Sequence, residues 1–319
     1  MKVFAVLPDG SSGPEGLEVD SAGNVYVTTF GFTAKGSASG PGQLFVFNAH
    51  GDLLRQLSIA GSSPHLLGLH FHPLTGALLV CDFGAGKVLD VDPRTGAAVV
   101  FMTLPALPHP SLGAGLNDVT FDAAGNVYVS DSFQGIVWQT GPHGGVGTVW
   151  VDDPLLRTTG VPPFGANGLR FNKEETALFV ANTGNDTIVK VSVALNAAGQ
   201  RTAAVFTNSI GGADGVILDD KNNLWVAANQ SDEIVVVDPT GRVIEKLGDF
   251  AGVNSEGQPV KLLFPASLRF SGKRLLVTNL SLDLRLFSPT FATVDSEWCA
   301  QVTRYTVVSI EFDTAEGAE

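Results

Sequence analysis

Charge is scarce in this chain: only 16% of its 319 residues are Asp, Glu, Lys or Arg, against roughly 25% in an average soluble protein. Basic residues are scarcest, and 19 Lys and Arg against 32 Asp and Glu leave a net charge of −13. Nucleic acid calls for a basic face, and an anionic membrane surface repels so acidic a chain. No nucleic acid and no membrane is expected as a partner, and the charge itself reads as solubility; the small-molecule substrate expected of this chain rests on its site residues. Cysteine is nearly absent. Cys81 and Cys299 lie far apart and form neither a CxxC pair nor a zinc spacing, and Cys81, inside an apolar run, reads as a buried thiol. No stretch approaches the roughly 18 apolar residues of a membrane span. The opening Met1–Pro8 is too short for a signal peptide, so the compartment stays open between the cytoplasm and export with a signal removed. GxSxG, HExxH and phosphate-cradling glycine loops are missing too, which leaves serine-hydrolase, zincin and nucleotide chemistry without support.

What the chain does have is turns and a repeat. Glycine occurs 37 times and proline 17 times, a strand-and-turn composition. A phrase of two short strands joined by a tight hairpin begins near Gly16, Gly68, Asp118, Gly168, Gly215 and Ser267. The spacing of roughly 50 residues suits propeller blades. Apolar residues alternate within each phrase, as Leu17, Val19 and then Val25, Val27 do. The turns Asp20–Asn24, Asp122–Asn126 and Asp219–Asn223 supply Asp, Asn and Gly, and their carboxylates read as turn chemistry rather than metal ligands. A second hairpin follows in most repeats, for example at Asp92-Pro93-Arg94-Thr95-Gly96. The expected fold is all-β: a six-bladed β-propeller of four-stranded blades, one domain over residues 1–319. The last repeat runs out of chain, so Lys2–Leu7 is expected to close the ring as its outer strand. Four long loops, Gly31–Gln43, Leu104–Leu116, Asp152–Ala166 and Ser281–Val302, then share one face.

Aligning the six phrases puts Glu15, Leu67, Asn117, Asn167, Asp214 and Ala266 at one height around the channel mouth. Four of the six carry oxygen. A buried ring of such groups needs a cation or a dense hydrogen-bond network, and two carboxylates balance a divalent ion. Ligation by oxygen alone favours a hard ion: calcium first, magnesium or manganese behind it. Phe30, Phe32, Phe133 and Phe164 lie on or near the mouth loops and would wall a substrate pocket, with His65 and His109 close by. His70 and His72 share a strand face, where packed histidines are the plainer reading.

Pro14-Glu15-Gly16, Gly115-Leu116-Asn117-Asp118-Val119, Gly165-Ala166-Asn167-Gly168-Leu169 and Gly212-Ala213-Asp214-Gly215-Val216 resemble the motifs of the SMP-30/gluconolactonase superfamily. That superfamily includes regucalcin-type lactonases and diisopropylfluorophosphatase-like phosphotriesterases. The resemblance puts Glu15, Asn117, Asn167 and Asp214 on its metal-ligand positions and Asp118 on a residue common near the metal in the phosphotriesterase branch. It implies a metal-dependent hydrolase of a lactone or related ester. Asp214 would be general base or nucleophile, and Asp118 would orient Asn117 or a water. Two departures stand out. Val277-Thr278-Asn279-Leu280 lacks the histidine of the phosphotriesterases, and no clear counterpart of the sugar lactonases' substrate-gripping arginine is found. Phosphotriester hydrolysis in the same site, or a non-catalytic propeller binding a ligand or protein, are the competing expectations.

Overall fold

The computed structural model describes residues 1–33 and 35–312. Ala34, inside the first long loop, and the tail 313–319 lie outside the described residues. The structure is all-β, with strands far outnumbering short helical turns, and no described helix is long and apolar enough to cross a membrane.

The strands form runs of four in which each pairs antiparallel with the next. The runs open with Pro14–Val19, Leu66–Phe71, Leu116–Phe121, Ala166–Phe171, Ala213–Leu218 and Pro265–Ser271. The second and third runs join edge to edge, because Met102 and Thr103 pair in parallel with Gly145 and Val146. The sixth run is completed from the other end of the chain, as expected: Lys2–Val6 pairs antiparallel with Thr306–Glu311. That pairing covers an edge that would otherwise be open. The opening strand of each run packs against that of the next, and the sixth packs against the first.

The hairpin turns use their acids locally. Asp20 accepts from the backbone of Ala22 and Asn24 and from the Tyr26 hydroxyl at 2.9 Å. Asp122 and Asp219 repeat the arrangement with Tyr128 and Trp225. Buried apolar side chains collect in six clusters, largely between neighbouring runs, such as Tyr26, Leu44 and Val46 against Leu69, Leu78 and Val80. Burying each such side chain contributes roughly 1.5–3 kcal/mol, so stability is spread over the interfaces between runs. Cys81 and Cys299 are free and buried, as read for Cys81.

One irregularity recurs in every run. Pro14 faces Thr29 and Leu17 faces Val27, so the opening strand holds one residue more than its partner between those pairs. The same extra residue occurs at Leu66–Leu69, Leu116–Val119, Ala166–Leu169, Ala213–Val216 and Pro265–Leu268. A bulge re-aims the side chains it contains. Glu15, Asn117, Asn167 and Asp214 all sit inside it.

Candidate metal centre and the cavity around it

Each aligned ring residue is the second of its opening strand, inside the bulge. The bulge frees a backbone N–H from the ladder, and a hydroxyl on the next strand accepts it. Gly16 N donates to Thr28 Oγ1 at 3.1 Å, Asp118 N to Ser130 Oγ at 3.0 Å, and Ser267 N to Thr278 Oγ1 at 2.9 Å. The strands also crowd together here. A Cβ on Gly168 would stand 2.4 Å from the Asp214 carbonyl oxygen, and one on Gly215 2.5 Å from that of Ala266. Only glycine fits so close to a neighbouring backbone.

Glu15, Asn117, Asn167 and Asp214 line one cavity of about 20 Å³, together with Asn229 and eight apolar residues. A single water needs roughly 10–15 Å³ of such space, so the cavity has room for one water or ion. The four ring residues are buried, Glu15 and Asp214 at 4% exposure. Four side-chain oxygens here have no hydrogen-bond partner: Glu15 Oε2, Asn117 Oδ1, Asp214 Oδ1 and Asn229 Oδ1. Leaving a buried acceptor unsatisfied costs about 1–3 kcal/mol, more for a charged one. Four in one cavity are acceptors awaiting a positive partner.

The second strand of each run explains how they are aimed. The residue just after the one facing the bulge's first residue is Phe30, Phe83, Ser132, Thr183, Asn229 or Leu280 in the six runs. Ser132 Oγ accepts from Asn117 Nδ2 at 3.1 Å and donates to Ala166 O at 2.7 Å. Thr183 Oγ1 does the same between Asn167 Nδ2 and Ala213 O, both at 2.8 Å. Each hydroxyl holds the NH₂ of its amide and so fixes which amide atom is the oxygen. For Asn117 that oxygen is left unpartnered. Asn229 Nδ2 donates to Asp214 Oδ2 at 3.2 Å, which leaves Asp214 Oδ1 free. Phe30, Phe83 and Leu280 form apolar wall.

Without a cation these carboxyls resist ionisation. Burial raises Glu15 well above the usual range, and the charges of Asp214 and Asp118 add to it. Burial likewise raises Asp214 to about 8, against the hydrogen bond from Asn229 and with the charge of Asp118 adding to the rise. The donor set fits a hard divalent ion: oxygen only, two carboxylates to match its charge, and neutral amide oxygens beside them. No three of His, Cys, Asp and Glu gather as a metal site among the described residues, and this set holds only two of those types.

Asp118 does not line the cavity. It stands in the ring where four other runs have glycine, and its carboxylate accepts from Arg170 at 2.9 Å and pairs with His70 at 3.1 Å. His70 Nδ1 in turn lies 2.5 Å from Glu18 Oε2, and Arg269 completes the group. Burial opposes the Asp118 charge, but Arg170, His70 and Arg269 together hold it well below the carboxylate range. Asn117 is oriented by Ser132, not by Asp118. His72 is a packed residue bonded to Gly125 O at 2.9 Å.

Of the residues read as pocket wall, Phe30 and Phe164 line the cavity. Phe133 packs on Phe83 and Phe164, and Phe32 stacks on His65 with centroids 4.6 Å apart. His109 stands off at the rim, paired with Asp152 at 3.1 Å and bonded to Arg157. Phe83 and Asn229 were missed in the sequence, and Phe287 was not read as pocket wall. Phe83 and Asn229 occupy a register position that the strand alignment exposes one step further on, whereas Phe287 lies in a loop with no repeat to mark it.

An all-β ring of bulged strands around an oxygen-lined cavity defines a propeller-like protein with a candidate cation site. The chain belongs to the SMP-30/Gluconolactonase/LRE-like family, whose model matches residues 63–248. Among solved structures it is similar to a luciferin-regenerating enzyme at 14% identity, covering 97% of this chain and 94% of that one with a TM-score of 0.66. It is also similar to the calcium-binding protein regucalcin of Agrobacterium tumefaciens strain C58, at 17% identity, 97% and 94% coverage and a TM-score of 0.62. A gluconolactonase of Xanthomonas campestris matches at 15% identity, 87% and 88% coverage and a TM-score of 0.60. No curated protein matches the chain significantly.

Proposed function

We propose that this chain is a single-domain, six-bladed propeller with four-stranded blades, and a divalent-metal-dependent hydrolase of lactones or related esters. Glu15, Asn117, Asn167 and Asp214 would hold the cation, with calcium first and magnesium or manganese behind it. Asn229 supports Asp214 beside them. The observation that carries the reading is that three of these four, Glu15, Asn117 and Asp214, and their neighbour Asn229 each bring a partnerless buried oxygen to one ion-sized cavity. Family membership and the likeness to a gluconolactonase and a calcium-binding regucalcin support it.

A bound divalent cation supplies Lewis-acid polarisation of an ester carbonyl oxygen and makes both carboxylates ionised at neutral pH. The chain's own residues do the rest. Asp214 accepts a proton from the attacking water, while Asn229 donates to its Oδ2 and fixes the carboxylate plane. The water oxygen bonds to the carbonyl carbon, the ring C–O ester bond breaks, and the proton ends on the released alkoxide oxygen, giving a hydroxy acid. Asn117 and Asn167, locked by Ser132 and Thr183, keep their orientation through the cycle. Asp118, ion-paired on the far side, adds a fixed negative charge below the site that favours a cation above it.

The test is metal analysis of the purified protein together with a panel of lactones and organophosphates, with and without EDTA. EDTA-sensitive lactone hydrolysis, lost in Asp214→Asn with much of the calcium binding retained, is the expected result. Full activity in that variant would refute the general-base role. Turnover confined to organophosphates would move the substrate class, and metal binding without turnover on any substrate would leave a binding propeller.

A further inference from the structure

The polar side chains that line the cavity all gather at the cation set. Glu15, Asn117, Asn167 and Asp214 form it, and Asn229 donates to Asp214 through Nδ2 with its own partnerless Oδ1 beside them. The remaining lining residues are all apolar. Above the cavity six phenylalanine rings form a closed circuit. Centroids stand 5.4 Å apart for Phe30–Phe83, 5.1 Å for Phe83–Phe133 and 5.9 Å for Phe133–Phe164. The circuit returns through Phe164–Phe287 at 5.6 Å, Phe287–Phe32 at 4.9 Å and Phe32–Phe30 at 4.9 Å. The imidazole stacked on it offers no spare atom, since His65 Nδ1 meets Phe30 O at 2.6 Å and Nε2 meets Ser37 Oγ at 3.1 Å.

This wall has a chemical consequence. A substrate hydroxyl placed among these rings loses its water and finds no partner, which disfavours it about tenfold or more per group. A substrate methylene placed there gains roughly fourfold. The cavity itself, at about 20 Å³, holds no more than a single ion or water, so a substrate must displace rings to reach it. Phe30, Phe83 and Phe164 are buried at 3–9% exposure, whereas Phe32, Phe133 and Phe287 are half-buried. Phe32 and Phe287 also sit on two of the four long mouth loops, Gly31–Gln43 and Ser281–Val302. They are the rings free to part.

We propose that this site takes uncharged lactones carrying an alkyl or aryl substituent, not polyhydroxylated sugar lactones, and that Phe32 and Phe287 part to seat the substituent. The proposal rests on the hydrolase reading of the same site. Hydrolysis opens the ring ester with one water and yields an alkyl-substituted hydroxy acid.

The experiment measures kcat/KM of the calcium-loaded full chain on δ-lactones of increasing 5-alkyl length and on glucono-δ-lactone. It is paired with calorimetric binding of the matching 6-alkyl δ-lactams, whose amide resists hydrolysis. The expected result is a rise of roughly fourfold per methylene, levelling once the chain passes the outer rings. Glucono-δ-lactone should lie at least about a hundredfold below the best alkyl lactone. Phe287→Ala should flatten the chain-length slope in both series while Phe287→Leu keeps most of it, a distinction that a merely structural role would not produce. Turnover that ignores chain length, or favours glucono-δ-lactone, overturns the substrate class and leaves the hydrolase reading standing. If no lactone is turned over, the hydrolase reading fails, and the lactams decide the substrate class alone. Affinity that grows with chain length upholds it, and affinity independent of length overturns it.

Discussion

Replacing Asp214 by asparagine should stabilise the metal-free protein, a result that runs against the usual effect of altering a buried site. With the unfolded carboxyl near 3.8 and the folded one raised by burial to about 8, the native state binds the extra proton. The stability this group contributes is then complete below the unfolded value and is lost as pH rises through the folded one. Linkage puts the loss at roughly 3–4 kcal/mol between pH 5 and pH 8 for Asp214 alone, and Glu15 moves in the same direction. Asparagine has no such loss. Its oxygen can still accept from Asn229, and its NH₂ can reach the partnerless oxygens of Glu15 or Asn117. In EDTA at pH 8 the variant should therefore melt higher than the native protein, by roughly 5–10 °C, and the gap should shrink by pH 5. Calcium should reverse the order. At a hundredfold excess over its dissociation constant it adds about 2.7 kcal/mol to the native protein, and less to the variant, which retains one carboxylate. Thermal melts and urea titrations at both pH values, with EDTA or calcium, measure all four cases. A variant less stable than the native protein in EDTA at pH 8, or equal calcium increments in the two, would refute the reasoning.

Other perturbations separate the parts of the site. Ser132→Ala removes the acceptor that orients the Asn117 amide, and Asn229→Ala the donor that holds Asp214; each should weaken calcium binding about tenfold by calorimetry. Arg170→Met strands the buried Asp118 charge and should cost about 3 kcal/mol in urea unfolding, most of it recovered in the Arg170→Met/Asp118→Asn pair. Gly168→Ala drives a Cβ to 2.4 Å from the Asp214 carbonyl oxygen. It should destabilise by about 2 kcal/mol and lower calcium affinity together, because the strand that moves is the one that carries Asp214.

Much of this was readable in the chain because a repeat aligns itself. Once the six phrases are in register, the position that holds Glu15, Asn117, Asn167 and Asp214 follows by symmetry, without knowledge of any contact. The same symmetry, read along the second strands, would have found Ser132, Thr183 and Asn229. The hairpin acids were legible for a different reason: Asp20, Asp122 and Asp219 bond within six residues of themselves, so local sequence decides their role.

Asp118 marks where that legibility ends. Its neighbours Arg170, His70, Glu18 and Arg269 lie 48 or more residues away in sequence, on the opening strands of other runs. Nothing local says whether its carboxylate faces the cavity or the opposite end of the ring. The aromatic circuit is of the same kind, since its rings come from loops and strand ends in several runs, and loops keep no period. The chain by itself determined the strands, their turns, the ring and the oxygens at its mouth, because each depends on alternation, spacing or a repeat. Only the folded molecule decided which ring nitrogen, guanidinium or phenyl stands beside which, because those contacts form when separate runs close around one axis.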